Sequence, residues 1–110
     1  INISSDVSAL TPPGMAVYSA SKAAVDSLTR TFSKELGGRK IRVNAINPGP
    51  TETEGAESRG LLELTRQLGS QRALQRAGRP ADIAPLAVFL ASDDASWISG
   101  ETYCVTGGIC

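Results

Sequence analysis

The feature of this sequence that most constrains its fold is a long amphipathic segment between two short β-branched segments. From Met15 to Leu36, apolar residues recur at steps of three and four, which predicts one long helix stopped by Gly37 and Gly38. Residues 1–4 before it and 41–46 after it have the apolar, β-branched character of buried strands. A strand, a helix and a second strand in this order predict a parallel α/β unit with a right-handed crossover.

The rest of the chain continues this alternation. Residues 52–77 are polar with a weakly apolar, Leu-rich centre, which predicts a helix. A helix is predicted to begin at Pro80, with a kink or a late start because Pro85 lies inside it. Its apolar positions, expected to be buried, are Ile83, Leu86, Ala87 and Leu90. Residues 101–105 are predicted to form the last strand.

Composition excludes several classes of function. The 110 residues carry 11 basic and 11 acidic side chains, so neither a nucleic-acid partner nor a membrane surface is indicated. The sequence has no apolar run of transmembrane length and no secretory signal pattern, and the expected location is cytoplasmic. With no histidine, and with Cys104 and Cys110 outside any CxxC spacing, no metal site is predicted and both cysteines are expected to be reduced thiols. Acid and base chemistry then depends on Tyr, Lys, Asp or Glu.

The stretch "YSASK" places Tyr18 and Lys22 one helical turn apart on one helix face. A nearby ammonium favours the phenolate and lowers a tyrosine pKa from about 10, which suits proton exchange with an alcohol or carbonyl oxygen. The alternative is a solvated Tyr and Lys on an exposed face. Ser5 follows the first predicted strand, at the sheet edge where ligands of α/β proteins bind. For Ser4, Ser5 and Ser8 the alternative is ordinary turn chemistry with nearby backbone.

Four motifs in order, "NISS", "YSASK", "RVNAINPGPTET" and "GRPADIAPLAVFLASDDASWISGETYCVTGG", resemble the C-terminal half of a short-chain dehydrogenase/reductase. The resemblance covers essentially the whole chain. It is closest to bacterial members such as 3-oxoacyl-carrier-protein reductases and glucose dehydrogenases. It implies the C-terminal half of a doubly wound, Rossmann-type parallel sheet flanked by helices.

The resemblance also implies an activity and a set of roles. The activity is hydride transfer between NAD or NADP and an alcohol or carbonyl substrate. Ser5 would position the substrate oxygen, Tyr18 would be the general acid or base, and Lys22 would lower the pKa of Tyr18 and bind the nicotinamide ribose. The further cofactor-binding positions that it implies are Pro48, Gly49, Thr51 and Thr53. Thr51 departs from the Val or Ile more usual in the family, and Thr106 from the Asp that many members have there.

We expect residues 1–110 to form a single unit with a substrate lid at residues 54–77. The glycine-rich pyrophosphate loop, the residue that selects NAD or NADP, and the Asn of the family's proton relay are not found in these residues. The N-terminal dinucleotide-binding half is therefore expected to be absent and the 110-residue chain alone to be inactive. The competing hypothesis is a stand-alone, non-catalytic remnant that acts as an oligomerisation module.

The helix that carries Tyr18 also has small residues that allow another helix to approach closely: Ser19, Ala20, Ala23 and Ala24. The family resemblance implies that this helix joins a dimer interface and that the last strand helps a second interface in tetramers. A homodimer or homotetramer is therefore expected. The alternative is that these residues contact a helix of the same chain.

Overall fold

A computed structural model describes residues 1–108, so Cys110 lies outside the described residues. Strands and helices alternate as predicted, with the following bounds: β1 Asn2–Ile3, α1 Val7–Leu10, α2 Ala16–Leu36, β2 Ala45–Pro48, α3 Glu54–Ser58, α4 Leu62–Ser70, α5 Pro80–Ala91 and β3 Thr102–Val105. Two short 3-10 turns follow α2 and α5, at Gly37–Arg39 and Asp93–Ala95. The strands form one parallel sheet in the order β1-β2-β3. The predicted α/β class and its parallel sheet are confirmed.

The sheet packs against α5 on an apolar core. Ile46 of β2, Leu90 of α5 and Ala95 are its buried members. The partly buried residues packed against them are Ile83, Leu86, Ala87, Ile98, Tyr103 and Val105. The four apolar positions predicted for α5 therefore do face the core. Their burial fixes α5 beneath the strands whose carboxyl ends form the candidate site.

The predicted beginning of the second strand is wrong. The second strand begins at Ala45 rather than at residue 41, because the chain before it bonds to the loop that precedes β3. Val43 N donates to Ser99 Oγ at 3.1 Å, and Gly100 N donates to Val43 O at 2.7 Å. The predicted beginning of the helix at Pro80 is confirmed, and the alternative of a late start caused by Pro85 is wrong. Ala81, whose carbonyl loses its bond to the missing N–H of Pro85, is exposed, so solvent can satisfy that carbonyl.

The buried face of α2 is polar. Ser19, Asp26 and Thr29 are its buried residues, and the sheet supplies amide partners: Asn2 donates to Thr29 Oγ1 at 2.9 Å and Asn47 to Asp26 Oδ2 at 3.1 Å. Three large apolar side chains of this helix, Val17, Leu28 and Phe32, are exposed, Val17 by 86%. We call these three residues the apolar face of α2. The helix therefore turns a polar face toward the sheet and an apolar face outward, which is the reverse of the usual amphipathic arrangement.

The predicted helix over residues 52–77 is two short helices and an irregular turn. α3 ends at Ser58, the chain turns at Gly60, and α4 runs from Leu62 to Ser70. Within residues 1–108, no helix combines the length and apolar character needed to cross a bilayer.

Candidate active site

Three loops meet at the carboxyl edge of the sheet, because the strands are parallel and their ends coincide. Backbone hydrogen bonds join the loops: Asp6 N donates to Pro48 O at 3.1 Å, and Gly49 N donates to Val105 O at 3.0 Å. Gly49 allows this close approach, since a Cβ there would lie 3.0 Å from the Thr106 Cα. The predicted site residues Ser5, Pro48 and Gly49 thus lie at one edge.

Helix α2 brings Tyr18 and Lys22 to the same edge. The Lys22 ammonium lies 5.8 Å from the centroid of the Tyr18 ring and donates to Ile3 O at 3.1 Å. The Ser4 hydroxyl donates to Lys22 O at 3.0 Å, so both the backbone and the side chain of Lys22 are attached to the end of β1. The Tyr18 side chain is 43% exposed and borders an open depression at the beginning of α2.

Ser5 is buried and bonds within its own loop. Its hydroxyl donates to Asp6 Oδ1 at 3.3 Å and accepts from Val7 N at 3.4 Å. The expected turn chemistry is therefore present at Ser5. Ser4 and Ser8 instead bond to other elements, Ser4 to α2 as described and Ser8 by accepting from Asn47 at 3.1 Å.

Thr51 and Thr53 flank the loop after β2. The Thr51 hydroxyl donates to Gly49 O at 2.9 Å, and residue 51 pairs with Gly78 in an isolated parallel bridge. The exposed Thr53 caps α3, accepting from Ala56 N at 3.1 Å. The hydroxyl oxygen of Thr53 accepts in that bond, so the cap does not use the hydroxyl proton. Pro48, Gly49, Thr51 and Thr53 lie in the one segment that continues from the end of β2, and we call these four residues the rim.

Sequence reasoning missed a buried polar layer beneath this edge. Asp6 accepts from Arg72 at 2.8 Å in an ion pair whose side chains are 6% and 8% exposed, and Asn47 joins Ser8 to Asp26. Arg72 and Asp6 are 66 residues apart in sequence, so no local spacing connects them. The available signal was weak: one polar residue shortly after β1, Asp6, and one inside β2, Asn47.

Comparison with known proteins identifies the family. The family model described as enoyl-(acyl carrier protein) reductase matches residues 1–110. An uncharacterized oxidoreductase of Methylorubrum extorquens is 44% identical over 99% of this chain and 45% of its own length. A 3-oxoacyl-[acyl-carrier-protein] reductase of Thermotoga maritima is 43% identical over 99% of this chain and 44% of its own. The chain thus spans less than half the length of these relatives.

Solved structures agree with the sequence comparison. An angucycline C-6 ketoreductase with bound NADP superposes with a TM-score of 0.87 at 34% identity, covering 97% of this chain and 41% of that one. A 4-hydroxyisoleucine dehydrogenase complexed with NADH and succinate gives 0.84 at 36% identity, covering 97% and 43%. A further match, with a TM-score of 0.84 at 40% identity over 97% and 43%, is a short chain dehydrogenase/reductase family protein. The chain therefore belongs to the short-chain dehydrogenase/reductase family.

Proposed function

We propose that this chain is the catalytic part of an NAD(P)-dependent oxidoreductase that transfers a hydride between a nicotinamide and a small-molecule alcohol or ketone. The observation that carries the proposal is the position of Tyr18 and Lys22, one helical turn apart at the sheet edge that also holds Ser5. Membership of an oxidoreductase family supports it, as do the NADP and NADH in the matched structures.

Tyr18 is the proposed general acid in carbonyl reduction and general base in alcohol oxidation. Its exposed side chain can meet a substrate oxygen directly, and the Lys22 ammonium lies 5.8 Å from the centroid of the ring. An ammonium has three donors, of which the bond to Ile3 O uses one. The others are available to a ribose hydroxyl, the second role proposed for Lys22. Ser5 is proposed to donate its hydroxyl proton to the substrate oxygen and polarise it.

The rim formed by Pro48, Gly49, Thr51 and Thr53 fits the nicotinamide end of the cofactor. Thr53 offers a hydroxyl proton that the cap of α3 does not use. Thr51 donates its own proton to Gly49 O and so offers hydroxyl lone pairs as acceptors for the nicotinamide amide. When bound, the nicotinamide supplies or accepts the hydride. The side chains of this chain then hold its amide and ribose and move one proton.

The second candidate function is a non-catalytic oligomerisation module. The apolar face of α2 favours it, because three large side chains exposed on one helix are typical of a surface that another chain covers. Assembly of a homodimer or homotetramer through this helix fits a catalytic chain equally well, so oligomerisation alone does not distinguish the two functions. The cytoplasmic location and reduced cysteines stay predictions.

Activity of the full-length protein tests the proposal. The protein is incubated with NADH or NADPH and a panel of small ketones, and nucleotide oxidation is followed by absorbance. Turnover that depends on Tyr18 supports the oxidoreductase. A protein that assembles into oligomers, binds neither nucleotide and turns over no ketone or alcohol would favour the module instead.

A further inference from the structure

A buried ion pair that the proposed mechanism does not use lies next to Ser5. Arg72 Nη2 donates to Asp6 Oδ2 at 2.8 Å, and the two side chains are 8% and 6% exposed. Removing two charges from water costs much of what their attraction returns, so stability is a weak reason to bury both. The position of the pair at the site points to a different role.

The two carboxylate oxygens of Asp6 accept hydrogen bonds from two different residues. Oδ2 accepts from Arg72, whereas Oδ1 accepts from the Ser5 hydroxyl at 3.3 Å. The Asp6 backbone N–H donates to Pro48 O at 3.1 Å, which fixes the residue against the end of β2 as well. Asp6 is therefore fixed through its side chain by Arg72 and through its backbone by Pro48. The Ser5 rotamer depends in turn on the bond from Ser5 to Asp6.

Arg72 is itself held by the turn that follows α4. Leu74 N donates to Gly107 O at 2.9 Å, and Gly69 lies so close to Ala77 that a Cβ would overlap its backbone. The Nε and Nη1 atoms of Arg72 have no hydrogen-bond partner among residues 1–108. Asp6 is thus the only side chain of the described residues that pairs with the guanidinium.

We propose that Asp6 and Arg72 are positioning residues that set the Ser5 hydroxyl for the substrate oxygen. The proposal rests on the proposed function. In the structure the Ser5 proton points to Asp6, and polarising a substrate requires that proton to point to the substrate instead. Arg72 draws the Asp6 charge toward Oδ2 and so weakens the hold of Oδ1 on the proton. Substrate binding then exchanges one hydrogen bond for another while the Ser5 oxygen stays in place.

The test is a double-mutant cycle in the full-length enzyme. Asp6→Asn, Arg72→Met and the double variant, which leaves no charge unpaired, are each made with Ser5 present and with Ser5→Ala. The kcat is expressed per dinucleotide-binding site, counted by NADPH fluorescence, so that loss of folded protein does not count as loss of rate. With Ser5 present we expect kcat to fall about tenfold with the KM for NADPH unchanged; with Ser5→Ala we expect less than about a twofold fall.

The matched control is Arg42→Met, which also removes a hydrogen-bonded guanidinium, but one that donates to Ile98 O at 3.4 Å and Ser92 O at 3.2 Å before the amino end of β2, away from the site edge. Its kcat should equal that of the unmodified enzyme. Equal losses in the two Ser5 backgrounds, or wild-type kcat in all three variants, would overturn the positioning role. If Tyr18→Phe remains active, the proposed function has failed. If Tyr18→Phe is inactive while the Asp6 and Arg72 variants keep full kcat, only the positioning proposal has failed.

Discussion

At the residue scale, Lys22 shows how one side chain joins the scaffold to the site. Its ammonium bonds to the carbonyl of Ile3 and stands beside the Tyr18 ring, while its backbone carbonyl accepts from Ser4. A lysine free in solvent would sample many rotamers, whereas this one is held by β1 at a fixed distance from the phenol. The same contacts that dock α2 on the sheet therefore place the cation proposed to assist proton transfer.

Replacing Tyr18 by Phe tests the proton transfer directly. We expect turnover of the full-length enzyme to fall by roughly 10²–10⁴-fold, the range for loss of a general acid or base. The unfolding temperature should hardly change, because the Tyr18 side chain is 43% exposed. Steady-state kinetics and thermal unfolding measure the two effects. Tyr103→Phe, on β3, is the control, and retained activity in Tyr18→Phe would remove Tyr18 from the proposed role.

The proximity of Tyr18 and Lys22 was predictable because an interval of four residues on a helix settles it locally. The partner of Asp6 was not, since Arg72 reaches it only after the sheet has formed and the turn after α4 has closed. The polar character of the buried face of α2 was not predictable for a similar reason. In a helical pattern, Asp26 and Thr29 are typical of an exposed face. Only the folded structure shows that Asn47 and Asn2 of the strands bond to them.

At the element scale, residues 54–77, which are expected to form a substrate lid, consist of two parts with different contacts. The helices α3 and α4 make up its first part, where Leu64 and Leu68 of α4, and Leu61 just before it, are exposed. The turn that follows is anchored by Arg72 and by the backbone bond from Leu74 to Gly107. The turn after α4 is therefore tied to the loops that follow β1 and β3, whereas α4 carries exposed apolar residues.

The close packing of Gly69 against Ala77 makes that anchor sensitive to one methyl group. Gly69→Ala should lower the free energy of unfolding by ~1–3 kcal/mol, because a Cβ would overlap the Ala77 backbone and force the turn to shift. Urea unfolding measures the loss. Gly37→Ala is the matched control, since its Cβ would meet nothing within 4 Å. Equal stability of the two variants would contradict the packing argument.

The stability that the Asp82 carboxylate contributes at the beginning of α5 should depend on pH. Hydrogen bonds from the Arg76 guanidinium, and then from Arg79 N–H, lower the pKa of Asp82 from 3.8 to about 2. A lowered carboxylate pKa stabilises the fold fully above pH 3.8, and that contribution is lost as the pH falls through about 2.

The melting temperature of the protein should therefore exceed that of Asp82→Asn above pH 3.8, and the difference should shrink steadily as the pH approaches 2. Thermal unfolding of both proteins across this range measures it. Arg76→Met should show the same loss of pH dependence, since it removes the main cause of the shift. A difference between the protein and Asp82→Asn that stays constant over the range would show that the ionised carboxylate contributes nothing.

At the scale of the whole molecule, the site residues converge on one edge of the sheet, but these residues include no glycine-rich turn that opens a helix to receive a pyrophosphate. We propose that a dinucleotide held at this edge by its nicotinamide end makes its pyrophosphate contacts elsewhere. The parallel sheet and the edge that holds the site were predictable from the alternation of strands and helices, whereas the strand order was not predicted. The outward direction of the apolar face of α2 was not, because helical periodicity does not say which side meets the sheet.

The 110-residue chain alone is expected to show no NADH or NADPH binding at micromolar concentrations. The physical reason is that the nicotinamide end contributes few contacts, while helix N-terminal amides supply much of the hold on the pyrophosphate. Titration by nucleotide fluorescence measures this, with the full-length protein as the positive control. Micromolar affinity in the 110-residue chain would show that it contains a phosphate site of its own.

The parallel sheet also sets an order of events in time. Asn2 pairs with Ala45, and Ala45 pairs with Thr102, so each ladder closes only after a long intervening loop has been brought together. Helix α2 forms from local contacts, on a much shorter timescale than the sheet. During that interval Val17, Leu28 and Phe32 already stand on a formed helix. A nascent chain of this kind therefore exposes a hydrophobic stripe before its strands have paired, and chaperones that hold apolar segments would meet that helix first.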